Sequence, residues 1–152
     1  MRVALSRAIV MLALLLTAAA HAHDYRAGDV RIDHPYALPA AAGAAEGQAF
    51  IATLDNRGAQ PDRLVRAATP LAQRVELRGA DGAPLAAIDL PPQAPLKMRP
   101  GRGPVLVLVG PTQSLKVGAT FPLTLHFERG GTAEVRVEVQ QPTARAEESA
   151  RR

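Results

Sequence analysis

Histidine is scarce in this chain of 152 residues, and its four copies are His21, His23, His34 and His126. Two of them stand together as His21-Ala22-His23, directly behind a stretch of small residues. If the chain is cut after Ala20, the new amine, two deprotonated amides and the third-position His23 imidazole form a square-planar set that suits Cu(II) or Ni(II). If the cut follows Ala22, His23 offers its own amine and imidazole as a two-point chelate. Either arrangement favours Cu(II). The plain alternative is that both are flexible residues ahead of the first strand. His126 lies between the apolar Leu125 and Phe127 and so falls on the polar face of a strand. His34 precedes Pro35 at an expected strand end, where a hydrogen bond to nearby backbone is its ordinary role. Met98 reads as a core or edge packing residue.

Much other chemistry is excluded. The chain has no Cys, hence no disulfide, no thiolate nucleophile, no Cys-ligated zinc or iron-sulfur cluster and no cysteine-based blue-copper centre. Beyond the leader, Ser114 and Ser149 sit in a loop and near the C-terminus, outside any G-x-S-x-G context. The carboxylate pairs Asp55 with Asp62 and Asp81 with Asp89 adjoin turn residues, where Asp serves local backbone hydrogen bonds. Gly101-Arg102-Gly103 precedes a strand, so it presents no helix N-terminus to a phosphate. No nucleophile stands beside a base, and an enzyme is not expected.

The elements that must position these residues follow from the apolar pattern. Arg2 and Arg7 precede the apolar run Ala8–Leu16, shorter than the roughly 20 residues of a bilayer span, and small residues follow it. Residues 1–22 therefore read as a signal peptide, and the mature protein as exported to the periplasm with no membrane span. Losing Arg2 and Arg7 takes Lys+Arg from 18 to 16 against 14 Asp+Glu, and the formal charge from +4 to +2. With no basic cluster interleaved with aromatics, nucleic acid is not an expected partner.

From residue 23 to 141, short alternating segments punctuated by Gly and Pro predict one antiparallel, Greek-key β-sandwich of seven or eight strands. Strands are expected at Val30–Asp33, Ala49–Asp55, Asp62–Arg66, Arg74–Arg78, Leu85–Leu90, Leu96–Arg99 and Pro104–Gly110. An Ala/Gly/Pro-rich loop covers Leu38–Gly47. A final hairpin pairs Leu123–Glu128 with Glu134–Val139 across Arg129-Gly130-Gly131-Thr132. The tail from 142 to 152 has no apolar face and reads as disordered.

The order of these segments resembles the PCuAC family of periplasmic copper chaperones. Matching stretches are His23–Val30 leading into Asp33-His34-Pro35-Tyr36-Ala37, then Ala49–Gly58, Pro61–Val65, Ala72–Leu77, Pro100–Gly110, Leu115–Gly118 and Phe121–Leu125. The resemblance implies an all-β, cupredoxin-like sandwich that binds or delivers copper and meets copper-handling proteins. It also implies a Cu(I) site made by a His just after the Val-Glu-Leu stretch, a Met further on, and a His-x-Met in the strand before the glycine. Here those positions read Arg78, Leu85 or Ala86, and Val105-Leu106-Val107. None offers a soft lone pair, so the family's Cu(I) site is expected to be degenerate. Any metal chemistry then shifts to His21 and His23. The competing expectation is a metal-free periplasmic interaction module on the same fold.

Overall fold

In a computed structural model, residues 24–143 are described. The expected signal peptide, His21, His23 and the tail from 144 onward lie outside the described residues. The described residues form nine strands: β1 (Tyr25–Ala27), β2 (Val30–Ala37), β3 (Glu46–Asn56), β4 (Asp62–Ala68), β5 (Ala72–Arg78), β6 (Ile88–Leu90), β7 (Val105–Pro111), β8 (Thr120–Phe127) and β9 (Gly131–Val139). They pair in the order β5-β7-β3-β2-β9-β8-β4-β6, with β1 added to β2. All neighbours are antiparallel except β2 and β9, which run parallel through two residue pairs, Tyr36 with Glu138 and Ala37 with Val139. The all-β, cupredoxin-like sandwich is confirmed: the sheet curls until it nearly closes, with no helix among the described residues.

The core follows from alternation. Ile32, Leu54, Leu106 and Leu108 from one half of the sheet and Leu64, Leu123, Leu125, Val135 and Val137 from the other join a single buried cluster. Sequestering such side chains from water contributes about 1.5–3 kcal/mol each. The chain turns from β4 into β5 at Thr69, whose hydroxyl donates to Pro122 O at 2.8 Å and so ties the corner to β8. Among the described residues no buried side-chain polar atom lacks a partner.

Some expectations are corrected. β2 does not stop at His34-Pro35 but continues to Ala37 in an unchanged register against β3. His34 takes a φ of 52° there, and β2 exchanges β1 on its first half for β9 on its last. Pro35 therefore marks a change of neighbour, where its missing N–H costs little. Of Leu85–Leu90 only the last three residues are strand, because Leu85 instead donates its N–H to Leu77 O beside the β5 edge. Leu96–Arg99 is not a strand: Leu96 bridges Leu54, Met98 donates to Ile51 O, and Arg99 pairs back on Arg102 in a tight hairpin. Gly103, at φ 77°, closes this hairpin against Lys97 O, which a Cβ would approach to 2.8 Å. The additional strand, β1, is a three-residue edge too short to leave an alternating signature. The β8–β9 hairpin forms as expected, with Phe127 opposite Gly131 and a shorter turn at 128–130.

Candidate functional site

On the outer face of the β5-β7-β3-β2 half, alternation brings together Glu76 and Arg78 of β5, Val105 and Val107 of β7, and Glu46, Gln48 and Phe50 of β3. Arg78 is the direct cross-strand partner of Val105, and Glu76 of Val107. Gln48 in turn faces Val107 from the other side. Six of these side chains and the loops at 79–82 and 99–103 line a shallow depression of about 120 Å³, and Glu76 stands outside it, joined to it through Arg78.

Arg78 dominates the depression. Its Nη2 donates to Glu46 Oε1 at 2.7 Å and to Glu76 Oε2 at 2.6 Å, while Nη1 reaches Glu46 Oε2 at 3.1 Å. Arg74 holds the far side of Glu76, with Nη2 at 2.7 Å from Oε1. The Arg78 and Glu76 side chains are 22% and 28% exposed, so solvent screens the cluster only in part. Hydrogen bonds from Arg78 and then Arg74 lower the Glu76 pKa, and the bonds that Arg78 donates to Glu46 and Glu76 raise its own, so both stay charged at neutral pH.

An aromatic row borders the depression. Tyr36 stacks on Phe50 with ring centroids 5.4 Å apart, and His34 lies 5.8 Å beyond Tyr36. Burial pushes the Tyr36 phenol up, and nearby Arg99 pulls it the other way. His34 Nε2 meets the Gln140 side chain at 3.1–3.3 Å, so its partner is a side chain of the segment after β9 and not backbone. His126 is half-exposed on the outer face of β8, with Nδ1 3.1 Å from Thr132 Oγ1. Met98 is fully buried. Among the described residues no group of three His, Asp or Glu side chains is placed to hold a metal. His21 and His23 lie outside the described residues.

The candidate carboxylate pairs separate into structural roles. Asp55 pairs with Arg57 at 2.9 Å, and Asp81 accepts from Ala83 N in its own turn. Asp62 accepts from Arg63 N, Arg129 N and Gly130 N, so its carboxylate caps the β8–β9 turn. Sequence reasoning placed Arg78 but missed Glu46, Glu76 and Arg99. The signal for one of them, Glu76, was legible: Arg74-x-Glu76-x-Arg78 alternates charge along one strand face.

The family model "LpqE-like" matches residues 30–139. No curated protein matches the chain significantly. Among solved structures, the chain is similar to the apo PCuAC domain from PmoF1 at 25% identity and TM-score 0.72, covering 79% of this chain and 100% of that one. It is similar to the copper-bound PCuAC domain from PmoF2 at 30% identity and TM-score 0.72, covering 79% and 99%. The Cu(I) form of DR1885 from Deinococcus radiodurans follows at 26% identity and TM-score 0.59, covering 80% and 83%.

Proposed function

This chain belongs to the LpqE-like, PCuAC family, and from that membership we propose that it is an exported copper-chaperone-like protein whose sandwich has lost the family's Cu(I) ligands. In this reading residues 1–22 are a cleaved leader and residues 23–141 the functional domain, working in the periplasm beside other copper-handling proteins. It carries out no catalysis and binds no nucleic acid.

One observation carries the loss of the Cu(I) site: the Arg78 guanidinium occupies the depression, clamped by Glu46 and Glu76 and facing Val105. A fixed cation repels an incoming metal ion, and valine has no lone pair to give it. The pocket therefore does not fit copper, and no transfer step is routed through it. Copper instead meets the processed N-terminus, where His23, alone or behind His21, supplies an imidazole next to a free amine, a hard nitrogen set for Cu(II).

Titration of the mass-verified mature protein with Cu(I) and Cu(II) tests both halves of the reading. The expected result is Cu(II) binding abolished by His23→Ala, with no Cu(I) binding. A combined Arg78→His, Val105→His, Val107→Met variant should then gain Cu(I) binding, since these positions already converge. Tight Cu(I) binding by the unaltered protein would overturn the degenerate site. The ion-paired depression also favours a second reading, a metal-free interaction module, which binding of neither ion would select.

A further inference from the structure

The hairpin 97–103 carries an excess of positive charge that the fold does not neutralise. Lys97, Arg99 and Arg102 are all exposed, and none forms an ion pair with another described residue. Arg99 and Arg102 exchange both backbone hydrogen bonds, Arg99 N to Arg102 O at 3.0 Å and Arg102 N to Arg99 O at 2.9 Å. Residues paired in this way present their side chains on one face of the hairpin, and like charges placed there repel. Met98, next to Arg99, is fully buried and points the other way, so the core anchors the hairpin while both guanidinium groups stay outside. Arg99 lines the same depression as Phe50, Val105 and Arg78. Arg99 therefore overhangs a partly apolar floor, with Arg102 beside it on the hairpin, and the nearby acids Glu46 and Glu76 are already satisfied by Arg78 and Arg74.

We propose that the Lys97–Gly103 hairpin and the depression beneath it are a docking surface for an acidic segment of a partner protein. Charge complementarity names the occupant. Paired guanidinium groups bind carboxylates through parallel N–H donors, and the half-buried Val105 takes an aliphatic side chain between the acids. A membrane surface fits less well, because the exposed large apolar residues, Val65, Leu85 and Val117, lie on other elements and the rim offers nothing to insert. The inference stands apart from the copper reading, since it uses only surface charge and the anchoring of the hairpin.

The test is a titration of the 15N-labelled mature protein, kept copper-free with a chelator, with the peptide acetyl-Glu-Asp-Glu-Asp-Leu-Glu-Asp-amide. The expected result is saturable shifts confined to residues 97–103 and the adjoining loop at 78–82, weakened at least tenfold in an Arg99→Gln/Arg102→Gln variant. An Arg99→Lys/Arg102→Lys variant, keeping the charge without the planar donors, should fall between the two. The unperturbed remainder of each spectrum reports that the fold is intact. Unchanged affinity in the Gln variant would overturn the proposal, as would shifts centred on other cations such as Arg129. Sodium phosphate reproducing the same shifts at the same concentration would make this a small-anion site. Binding to phosphatidylcholine vesicles containing phosphatidylglycerol, without binding to the peptide, would make it a lipid site; either result overturns the protein partner.

Discussion

Two hairpins in this molecule handle charge in opposite ways. At the tip of β8–β9 the acids are matched to donors of the fold: the Asp62 carboxylate receives the N–H groups of Arg129 and Gly130, and Arg63 forms a two-bond pair with Glu128 at 2.8 and 3.1 Å. At the tip of 97–103, Arg99 faces Arg102 with no counterion among the described residues, and the hairpin is held by what lies behind it, the buried Met98 and the backbone bridges to Leu54 and Ile51. A turn that closes the core is built for stability. A turn that accepts like-charge repulsion is kept in place by its neighbours, which leaves its charges available to something outside.

Substitutions can break this contrast, beginning with the largest effect. Met98→Ala empties a fully buried site and should cost about 2–5 kcal/mol, measured by chemical denaturation. Hydrogen exchange in that variant should rise first around Leu96–Gly103 and leave β8–β9 protected. Asp62→Ala removes a carboxylate that accepts three backbone bonds and should cost about 1–3 kcal/mol. Its exchange should quicken at residues 128–131 and leave 97–103 unchanged. Arg102→Glu converts the repulsive pair into an attractive one and should raise stability by roughly 0.2–1 kcal/mol. A loss of stability there would mean that the two guanidinium groups are not in repulsion.

The smallest effect is a pH dependence. Hydrogen bonding from Arg63 holds the Glu128 pKa below its ordinary value, as Arg78 does for Glu76. A carboxylate lowered on folding stabilises the folded state above its ordinary pKa, and that contribution disappears as pH falls through the lowered value. Glu128→Gln should therefore lower the melting temperature slightly at neutral pH and flatten its fall on the acid side, so that the two curves converge at low pH. The size is modest, because both partners are about half exposed.

The fold was largely legible because its information is local. Leu123, Leu125 and Phe127 against Val135, Val137 and Val139 is a period-two signal on both strands, and the hairpin formed accordingly. The segment 91–103 was not legible, because its structure depends on distant partners. Leu96 and Met98 resemble a strand in sequence, yet their neighbours on β3 supply single bridges, and the prolines around them remove the donors that a ladder needs. The site was half legible. Alignment placed Arg78 beside Val105, but Glu46 is 32 residues away in the chain and joins the cluster only through the β5-β7-β3 order. His34 gave a misleading stop signal, because a left-handed residue ahead of proline can carry a strand from one neighbour to another.

The short parallel seam between β2 and β9 has a consequence for the order of assembly. β2 begins only a few residues into the described chain, and β9 is its last strand, so the two halves of the sheet meet through residues about 100 positions apart. During folding Ile32 and Ala37 must wait for Val135, Val137 and Val139 before their core is complete. Closing so large a loop belongs to the slower class of small-domain folding, on the order of milliseconds to seconds. A chain truncated before β9 would retain most of its strands without the piece that joins the halves of the sheet. The domain thus stays open until β9 is available.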